Sequence, residues 1–319
     1  MRLQRISSAR YAREVLPLTA PLWAGSRTLD EYAATTLELA RTSYGRRCYA
    51  TMGLYDGNRL VASHKWYERS LRHDSQALTA VGFGAVFTPE EFRGRGYASV
   101  MLASSLDLAR DRGHDVAYLF SDIRPQFYAD LGFRALASRK LWLEADDLSG
   151  DRLRVLVLTD DDWSGVRKCF ESARRSVSSS FVRSQAFWEW SATRIRQQSE
   201  HSHSQPINLV VKRRGEVCAY VLGARVPQRD AFIFDEFGWT DRAGPTTVAA
   251  LLRAAAGDLR RATGWLPPPA ARELLPRGTV RRRDRAILMM APLTPAGGRL
   301  IDTLRHPARG DFCWATDHI

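Results

Sequence analysis

The sequence predicts a mixed α+β fold in two domains, and three observations support this prediction. The chain has 319 residues, a length at which a single hydrophobic core usually gives way to two domains. Hydrophobic residues make up 45% and charged residues 26% of the chain, which is typical of a folded globular protein. Strand-like and helix-like stretches alternate, and their order repeats once. We therefore expect two mixed sheets, each flanked by helices.

In the first half, strands and helices alternate. Apolar residues at helical spacing, such as Tyr32, Leu37 and Ala40, indicate a helix over residues 29–43. Asp56-Gly57-Asn58 is a turn signal that joins two strands into a hairpin. The predicted strands cover residues 1–7, 48–55, 59–68, 76–87, 116–121 and 133–143, and the predicted helices cover residues 9–16, 29–43, 97–112 and 125–131.

The second half repeats the order of elements: a strand, two helices, a hairpin, a strand, a helix and a strand. Its predicted strands cover residues 153–158, 207–212, 217–225, 232–239 and 285–291, and its predicted helices cover residues 160–173, 185–197 and 246–263. The stretch 146–151 is polar and contains Gly150, which is typical of a linker. We therefore predict an N-terminal domain over residues 1–146 and a C-terminal domain over residues 151–319.

Composition and charge restrict the classes of function. No apolar run reaches the roughly 18 residues of a membrane span, and no apolar stretch of signal-peptide type follows the N-terminus. The four cysteines are far apart, which argues against a disulfide framework or a zinc site, so a cytoplasmic location is expected. The net charge of +12 suits nucleic acid or a polyanionic cofactor. We favour the cofactor, because no nucleic-acid motif is present.

One segment has the pattern of a phosphate site. Residues 86–98 run from the end of a predicted strand through a glycine-containing loop into a helix. A helix N-terminus offers free backbone N–H groups and a favourable dipole to a phosphate, and glycine lets the backbone approach it closely. The segment consists of Val86, Phe87, Thr88, a short acidic stretch, and then Arg93, Gly94, Arg95, Gly96, Tyr97, Ala98 and Ser99.

Three other kinds of site or structure could account for this segment. A P-loop would need a G-x-x-x-x-G-K-[ST] run, which is absent. A dinucleotide fingerprint would need a third glycine where Ser99 stands, and a tighter turn after the strand. A flexible surface turn is the third alternative.

Two motifs favour a specific cofactor. Residues 93–98 read Arg-Gly-Arg-Gly-Tyr-Ala, and residues 127–133 read Phe-Tyr-Ala-Asp-Leu-Gly-Phe. Their sequences and spacing resemble the coenzyme A motif and the F-Y-x-x-x-G-F element of the GNAT superfamily of N-acetyltransferases. The resemblance covers about residues 1–143, and the second half lacks the loop. It implies two GNAT-like domains with mostly antiparallel sheets, of which the second is degenerate and does not bind coenzyme A.

The resemblance also implies site residues. The backbone of Val86, Phe87 and Thr88 would pair with pantetheine, and the loop from Arg93 to Ser99 would hold the pyrophosphate of acetyl-CoA. Tyr128 is the expected general acid, because a phenol near the thioester can protonate the departing thiolate. No metal is expected, since a polar loop explains His201-Ser202-His203 better than a metal site does.

The amine site is less defined by sequence. Asp122, Asp235 and Glu236 are expected to contact a cationic substrate. Candidate general bases are Glu68, His64, Asp122 and Asp235, together with the aromatic C-terminal stretch 314–319, because in some related aminoglycoside acetyltransferases the end of the chain reaches the active site. A structural ion pair of Asp235 and Glu236 with one of the many arginines is the competing interpretation.

The expected activity is transfer of an acetyl or other short acyl group from acyl-CoA to a primary amine, by direct attack in a ternary complex. A small-molecule amine is the expected partner, and a lysine-like substrate is also compatible. The alternative is a coenzyme A-binding regulatory protein without turnover. The acceptor and the oligomeric state are not specified by the sequence.

Overall fold

The computed structural model describes residues 1–122, 124–150, 153–175, 177–200, 204–244, 246–306 and 309–319. Sixteen strands are present in these ranges: β1 Arg2–Ile6, β2 Tyr49–Asp56, β3 Arg59–His73, β4 Gln76–Phe87, β5 Val116–Ser121, β6 Arg134–Ala135, β7 Arg139–Glu144, β8 Val155–Val157, β9 Ser179–Val182, β10 Gln205–Pro206, β11 Leu209–Arg213, β12 Glu216–Val226, β13 Ala231–Trp239, β14 Arg261–Trp265, β15 Thr279–Arg282 and β16 Ile287–Pro292.

The described ranges also contain eleven α-helices and five short 3-10 turns. The helices are α1 Ser8–Glu14, α2 Leu16–Trp23, α3 Leu29–Arg41, α4 Ser43–Cys48, α5 Tyr97–Asp111, α6 Pro125–Ala129, α7 Trp163–Arg174, α8 Gln185–Glu200, α9 Thr247–Ala256, α10 Pro269–Arg272 and α11 Pro295–Leu304. The 3-10 turns are Glu90–Phe92, Ala145–Asp147, Asp160–Asp162, Pro227–Arg229 and Ala315–Asp317. No helix in the described ranges combines the length and the apolar character that a membrane crossing requires.

The strands form two mixed sheets of eight strands each. The order in the first sheet is β1-β2-β3-β4-β5-β16-β6, with β9 beside β3. The order in the second is β15-β7-β14-β13-β12-β11-β8, with β10 beside β12. Among the described strands, β4–β5 and β13–β14 pair in parallel and the other pairs are antiparallel. This confirms the predicted α+β class with two mostly antiparallel sheets.

The two halves exchange strands, which corrects the predicted division at residues 146 and 151. Strand β7, expected to close the first domain, lies between β14 and β15 of the second sheet. Strand β16, expected in the second domain, lies between β5 and β6 of the first sheet. An apolar strand pattern predicts burial but does not specify the sheet in which the strand is buried.

Some predicted elements also differ in extent. The predicted strand 133–143 is in fact two strands, β6 and β7, which belong to different sheets. The predicted helix 246–263 ends at Ala256, because Gly257 has a φ of +61° and β14 follows. In contrast, α5 agrees with its prediction within one residue.

Helix α5 packs against one face of the first sheet. Its buried residues Met101, Leu102, Leu106 and Ala109 join a core cluster with side chains from β2 to β5 and from β16. The buried face of α5 therefore anchors the helix, and with it the glycine loop at its N-terminus. The opposite face of this sheet is covered by α1–α4, by α8 and by the last residues of the chain.

Candidate functional site

Strands β4 and β5 begin side by side and then separate. They pair in parallel from Ala80–Val116 to Gly82–Tyr118, and no pairing follows. Beyond this point β4 contains a bulge, where the register with β3 shifts and Ala85 takes a left-handed φ of +46°. The backbone of β4 from residue 83 to residue 87 therefore has an edge toward β5 without a strand partner.

The loop after β4 is fixed by an aromatic anchor. Phe92 is buried, contacts the Tyr97 ring edge-on at a centroid distance of 6.0 Å, and lies under the guanidinium of Arg59 at 4.8 Å. Arg93 donates a hydrogen bond to the carbonyl of Thr88 at 3.2 Å. These contacts hold the two ends of the loop while the side chains of Arg93 and Arg95 stay exposed.

The N-terminus of α5 is suited to bind an anion. Gly96 is its N-cap with a φ of +78°, no side chain caps the helix, and its first turn contains no acidic residue. Gly94 has a φ of +76°, and the space beside both glycines is open. The first N–H groups of a helix have no partner within the helix. The loop from Arg93 to Ser99 thus has the free donors, positive charge and open backbone that a pyrophosphate needs.

Tyr128 lies on α6, directly after the loop that follows β5. Its ring contacts Phe133 at 6.2 Å, and Phe133 contacts Phe83 of β4 at 6.3 Å. Val86, Tyr97 and Tyr128 all pack against the core cluster under α5. Burial, assisted by the nearby charge of Asp122, raises the pKa of the Tyr128 phenol. The hydroxyl therefore keeps its proton at neutral pH, as a general acid must.

Comparison with known proteins agrees with this geometry. Residues 23–136 match the family described as "Acetyltransferase (GNAT) domain". This part of the chain is thus similar in sequence to GNAT acetyltransferase domains. A lysine acetyltransferase from Yarrowia lipolytica is 30% identical over 109 residues, which is 32% of this chain and 28% of that protein. The chain thus spans under a third of the length of this curated relative.

Solved structures show that the GNAT likeness in fold extends over most of the chain. A GCN5-related N-acetyltransferase from Kribbella flavida matches with a TM-score of 0.65 at 17% identity, covering 92% of this chain and 72% of that one. A tandem GNAT protein from the clavulanic acid biosynthesis pathway matches with a TM-score of 0.53 at 11% identity, covering 92% of this chain and 99% of that one. At these identities the likeness concerns the fold, and it supports two GNAT-like units in one chain.

Two of the predicted bases have partners on the α5 side of the first sheet. His64 is 1% exposed, and its ring nitrogens lie 2.8 Å from Ser105 Oγ of α5 and 3.0 Å from the carbonyl oxygen of Lys65. Burial lowers its pKa to about 4. Glu68 accepts a hydrogen bond from Arg112 beside the last turn of α5. The glycine loop is at the other end of this helix, roughly 20 Å away. Both side chains are thus engaged by residues of α5 or its C-terminal end, and their role as a general base stays a prediction.

The predicted substrate carboxylates have different surroundings. Asp122 lies near Tyr128, and its Oδ1 accepts a hydrogen bond of 3.0 Å from the backbone N–H of Ala286. Glu236 is completely buried, and both of its carboxylate oxygens accept hydrogen bonds from Arg183, at 3.0 and 2.6 Å. It is therefore part of a structural ion pair and does not face a substrate, which corrects the prediction. The predicted loop 201–203 lies outside the described residues.

The C-terminal segment 314–319 reaches the gap between the strands. Arg194 of α8 donates hydrogen bonds to the carbonyls of Thr316 at 2.6 Å and His318 at 2.7 Å. A Cβ at Gly82 would lie 2.2 Å from Cδ1 of Ile319, and one at Gly84 would lie 3.1 Å from its carbonyl carbon. Because Gly82 and Gly84 have no side chains, they leave the space that this segment occupies. The family resemblance named this segment as a candidate, and the Gly-x-Gly pattern in β4 is a further signal for it that the sequence prediction did not use.

Asp235 is partly buried at a bulge in β13, where the register with β12 shifts by one residue. Burial raises its pKa to about 6, although the charge of Arg194 opposes this. Since the pKa of a free Asp is near 3.9, the folded state binds the proton more tightly than the unfolded state does. Asp235 therefore contributes stability below about pH 4, which is lost as the pH rises through about 6.

We expect Asp235→Asn to be more stable than the wild type at pH 8, by on the order of 2 kcal/mol, and to lose most of this advantage near pH 4.5. Urea unfolding of both proteins at the two pH values measures the difference. Asp258→Asn, at a carboxyl in the turn after α9, is a control for the loss of one negative charge. A difference that does not change with pH would contradict the expectation.

Proposed function

We propose that the protein is an N-acyltransferase that transfers an acetyl or other short acyl group from acyl-CoA to a primary amine in a ternary complex. The observation that carries the proposal is the combination of a strand gap with an uncapped helix N-terminus at its end. Strands β4 and β5 part after Gly82, and α5 begins at an open, left-handed Gly96 with no acidic residue in its first turn.

The cofactor roles follow from these two features. The backbone of Val86, Phe87 and Thr88 borders the gap and can pair with the amide groups of pantetheine. The N–H groups from Gly94 to Ser99 and the charges of Arg93 and Arg95 can hold the pyrophosphate. Bound acetyl-CoA would supply an activated acyl group as a thioester. The second half has no corresponding glycine loop, so we propose one cofactor site per chain.

The chain's own chemistry centres on Tyr128. Its raised pKa keeps the phenol protonated, so the hydroxyl can hydrogen-bond to the sulfur and donate its proton when the thiolate leaves. A neutral amine is needed for attack, and excluding water from the gap favours the neutral form of an ammonium group. The segment 314–319 lies beside Gly82 and Gly84 on the face opposite α5. We therefore place the acceptor amine in the gap beside this segment.

The acceptor class is a primary amine of a small molecule or of a lysine side chain. The similarity to the lysine acetyltransferase named above supports the lysine alternative. Asp122 and Asp235 are two carboxylates near this region, since Asp122 interacts with both Tyr128 and His318 and Asp235 interacts with Arg194, which holds the segment.

The test is a thiol-release screen with acetyl-CoA against amino acids, polyamines, aminoglycosides and lysine peptides. Release that depends on one class of amine supports the proposal. Binding of acetyl-CoA without release across the panel would instead indicate a regulatory coenzyme A-binding protein, and absence of binding would overturn the cofactor site as well.

A pair of glycine variants makes the binding part of this test specific. Gly96→Ala and Gly57→Ala both place a Cβ at a left-handed position, with φ of +78° and +56°, in open space. Both should lose about 1–2 kcal/mol of stability through backbone strain. Only Gly96→Ala should weaken acetyl-CoA binding, by at least about tenfold or 1.4 kcal/mol, as measured by calorimetry. Equal affinities in the two variants would contradict the placement of the pyrophosphate.

A further inference from the structure

A cavity lies on the first sheet, apart from the glycine loop. It has a volume of about 160 Å³ and is enclosed by β1, β2, β3, α1, α3 and α4. A cavity of this size accommodates a molecule of about the size of benzene. The polar and charged side chains that line it are Arg5, Ser8, Tyr11, Thr36, Arg46, Tyr49, Thr51 and Lys65. Among the described residues that line it, none is acidic.

Lys65 forms the inner end of this cavity. It is 8% exposed, its Nζ donates a hydrogen bond of 2.8 Å to Thr51 Oγ1, and it lies 3.5 Å from the centroid of the Tyr11 ring. The ring of Tyr49 is 5.0 Å from the same atom. Within the described part of the chain, no carboxylate lies at ion-pair distance from Lys65. One hydroxyl and two aromatic ring faces offset only part of the free-energy cost of burying an ammonium group.

The titratable groups around Lys65 do not supply the missing charge. Arg5 comes from β1, Tyr11 from α1, Arg46 from α4 and Tyr49 from β2, while α3 contributes Thr36, Leu37 and Ala40. Burial lowers the pKa of Lys65 well below its usual value. Burial also raises the pKa values of Tyr11 and Tyr49, so both phenols stay neutral. The cavity therefore offers proton donors and positive charge, without a counter-ion.

Two arginines lie at the rim of the cavity. Arg5 and Arg46 are both exposed, and the guanidinium of Arg5 donates hydrogen bonds to the carbonyls of Arg46 at 3.2 Å and Tyr49 at 3.5 Å. The contact fixes Arg5 beside the last residues of α4. An anion that entered would meet arginine charge at the rim and the Lys65 amine at the inner end.

We propose that this cavity is a binding site for a small oxyanion, carboxylate or phosphate, which is held by Lys65, Tyr11 and Thr51 inside and by Arg5 and Arg46 at the rim. Binding brings a negative charge to Lys65 and so favours its protonated form. The site is distinct from the pyrophosphate loop, because its lining includes no residue of β4 or α5. The proposal therefore does not depend on acyl transfer.

The experiment measures binding of three probes: succinate, inorganic phosphate and the neutral isostere succinamide. Succinate or phosphate at roughly twenty times its dissociation constant should raise Tm by about 3 °C, and succinamide should have no effect. The stronger of the two anions identifies the ligand as carboxylate or phosphate. Equal shifts with succinate and succinamide, or no shift with either anion, would overturn the proposal.

A second measurement tests the role of Lys65 directly. Calorimetry at pH 8 in buffers of different ionisation enthalpy should show that the wild type takes up protons when the anion binds. Lys65→Met should lose both the Tm shift and the proton uptake, yet fold at least as well as the wild type, since it removes a buried amine. Lys168→Met, at an exposed lysine of α7, should behave like the wild type.

An exposed variant keeps the test decisive if Lys65→Met fails to fold. Arg46→Gln changes only the rim and should weaken anion binding several-fold while proton uptake at saturation is retained. Unchanged affinity in Arg46→Gln, or unchanged proton uptake in Lys65→Met, would show that the anion binds elsewhere.

Discussion

Replacing Tyr128 with phenylalanine is expected to lower kcat about a hundredfold, within the range that positioned acid–base groups contribute. Acetyl-CoA affinity should be unchanged, because the ring keeps its contacts with Phe127 and Phe133. Burial and the charge of Asp122 raise the pKa of this phenol. The wild type should therefore lose no activity through ionisation of Tyr128 between pH 7 and about 10. Rates of thiol release measured across this pH range, with calorimetry for binding, test both parts.

Tyr55→Phe is the matched control for this substitution. Tyr55 is buried in β2, and its hydroxyl donates a hydrogen bond of 3.0 Å to Glu14 on α1, far along the sheet from Tyr128. It should lose about 1 kcal/mol of stability and retain its kcat. A Tyr128→Phe enzyme with full kcat would remove the phenol from the mechanism and leave it a packing role.

The cofactor loop was predictable because its signal is local. Residues 93–98 combine positive-φ glycines with a helix start, and these features depend on neighbours in sequence. The sheet to which each strand belongs was not predictable in the same way. Strand β16 reads Ile-Leu-Met-Met-Ala-Pro, an apolar pattern that suits a central position in either sheet, and it pairs with β5 of the first half. That choice is made by tertiary packing of α11 and the C-terminal segment, which single-sequence patterns do not contain.

Charged residues gave the weakest predictions, for a related reason. Glu236 and Lys65 both lie on strands, where a charged residue ordinarily indicates a solvent-facing position. In the structure Glu236 is neutralised by Arg183, which lies 53 residues earlier in the chain. Lys65 faces a cavity that helices of the first 48 residues help to form. The available signal was the face of β3 on which Lys65 lies. The same face carries Tyr67 and Leu71, both buried, so a lysine two residues before Tyr67 was a candidate for burial.

The C-terminal segment is attached to both sheets by a buried ionic cluster. Arg183 donates hydrogen bonds to Glu236 of β13 and to Asp317, at 2.6–3.2 Å. Arg69 of β3 donates to the same Asp317 oxygen at 3.0 Å. Thr316 and Tyr220 also donate hydroxyl hydrogen bonds to Glu236. Burial alone would raise the pKa of Asp317, but the charges of Arg183 and Arg69 outweigh it and lower the value. Asp317 is therefore ionised at neutral pH.

Removing one member of this cluster should be the most destabilising single change in the chain. Arg183→Met leaves Glu236 and Asp317 buried with too little positive charge, and breaking a buried pair in this way costs about 3–5 kcal/mol. Glu236→Gln should cost less, because Asp317 still pairs with Arg183. The double variant should be more stable than the sum of the two single losses predicts, since it no longer buries an unpaired Glu236 carboxylate. Urea unfolding of the four proteins measures this coupling.

The same variants connect stability to the proposed acceptor site. Asp317 lies one residue before His318, whose ring contacts Phe120 of β5 at 5.0 Å and Trp265 of β14 at 5.9 Å. Under conditions where Arg183→Met remains folded, the segment should be displaced from Gly82 and Gly84. The KM for the amine should then rise while the affinity for acetyl-CoA is retained, because the pyrophosphate loop lies on the other side of the sheet. If both affinities fell together, the segment would be supporting the whole sheet, and the acceptor would have to bind elsewhere along the gap.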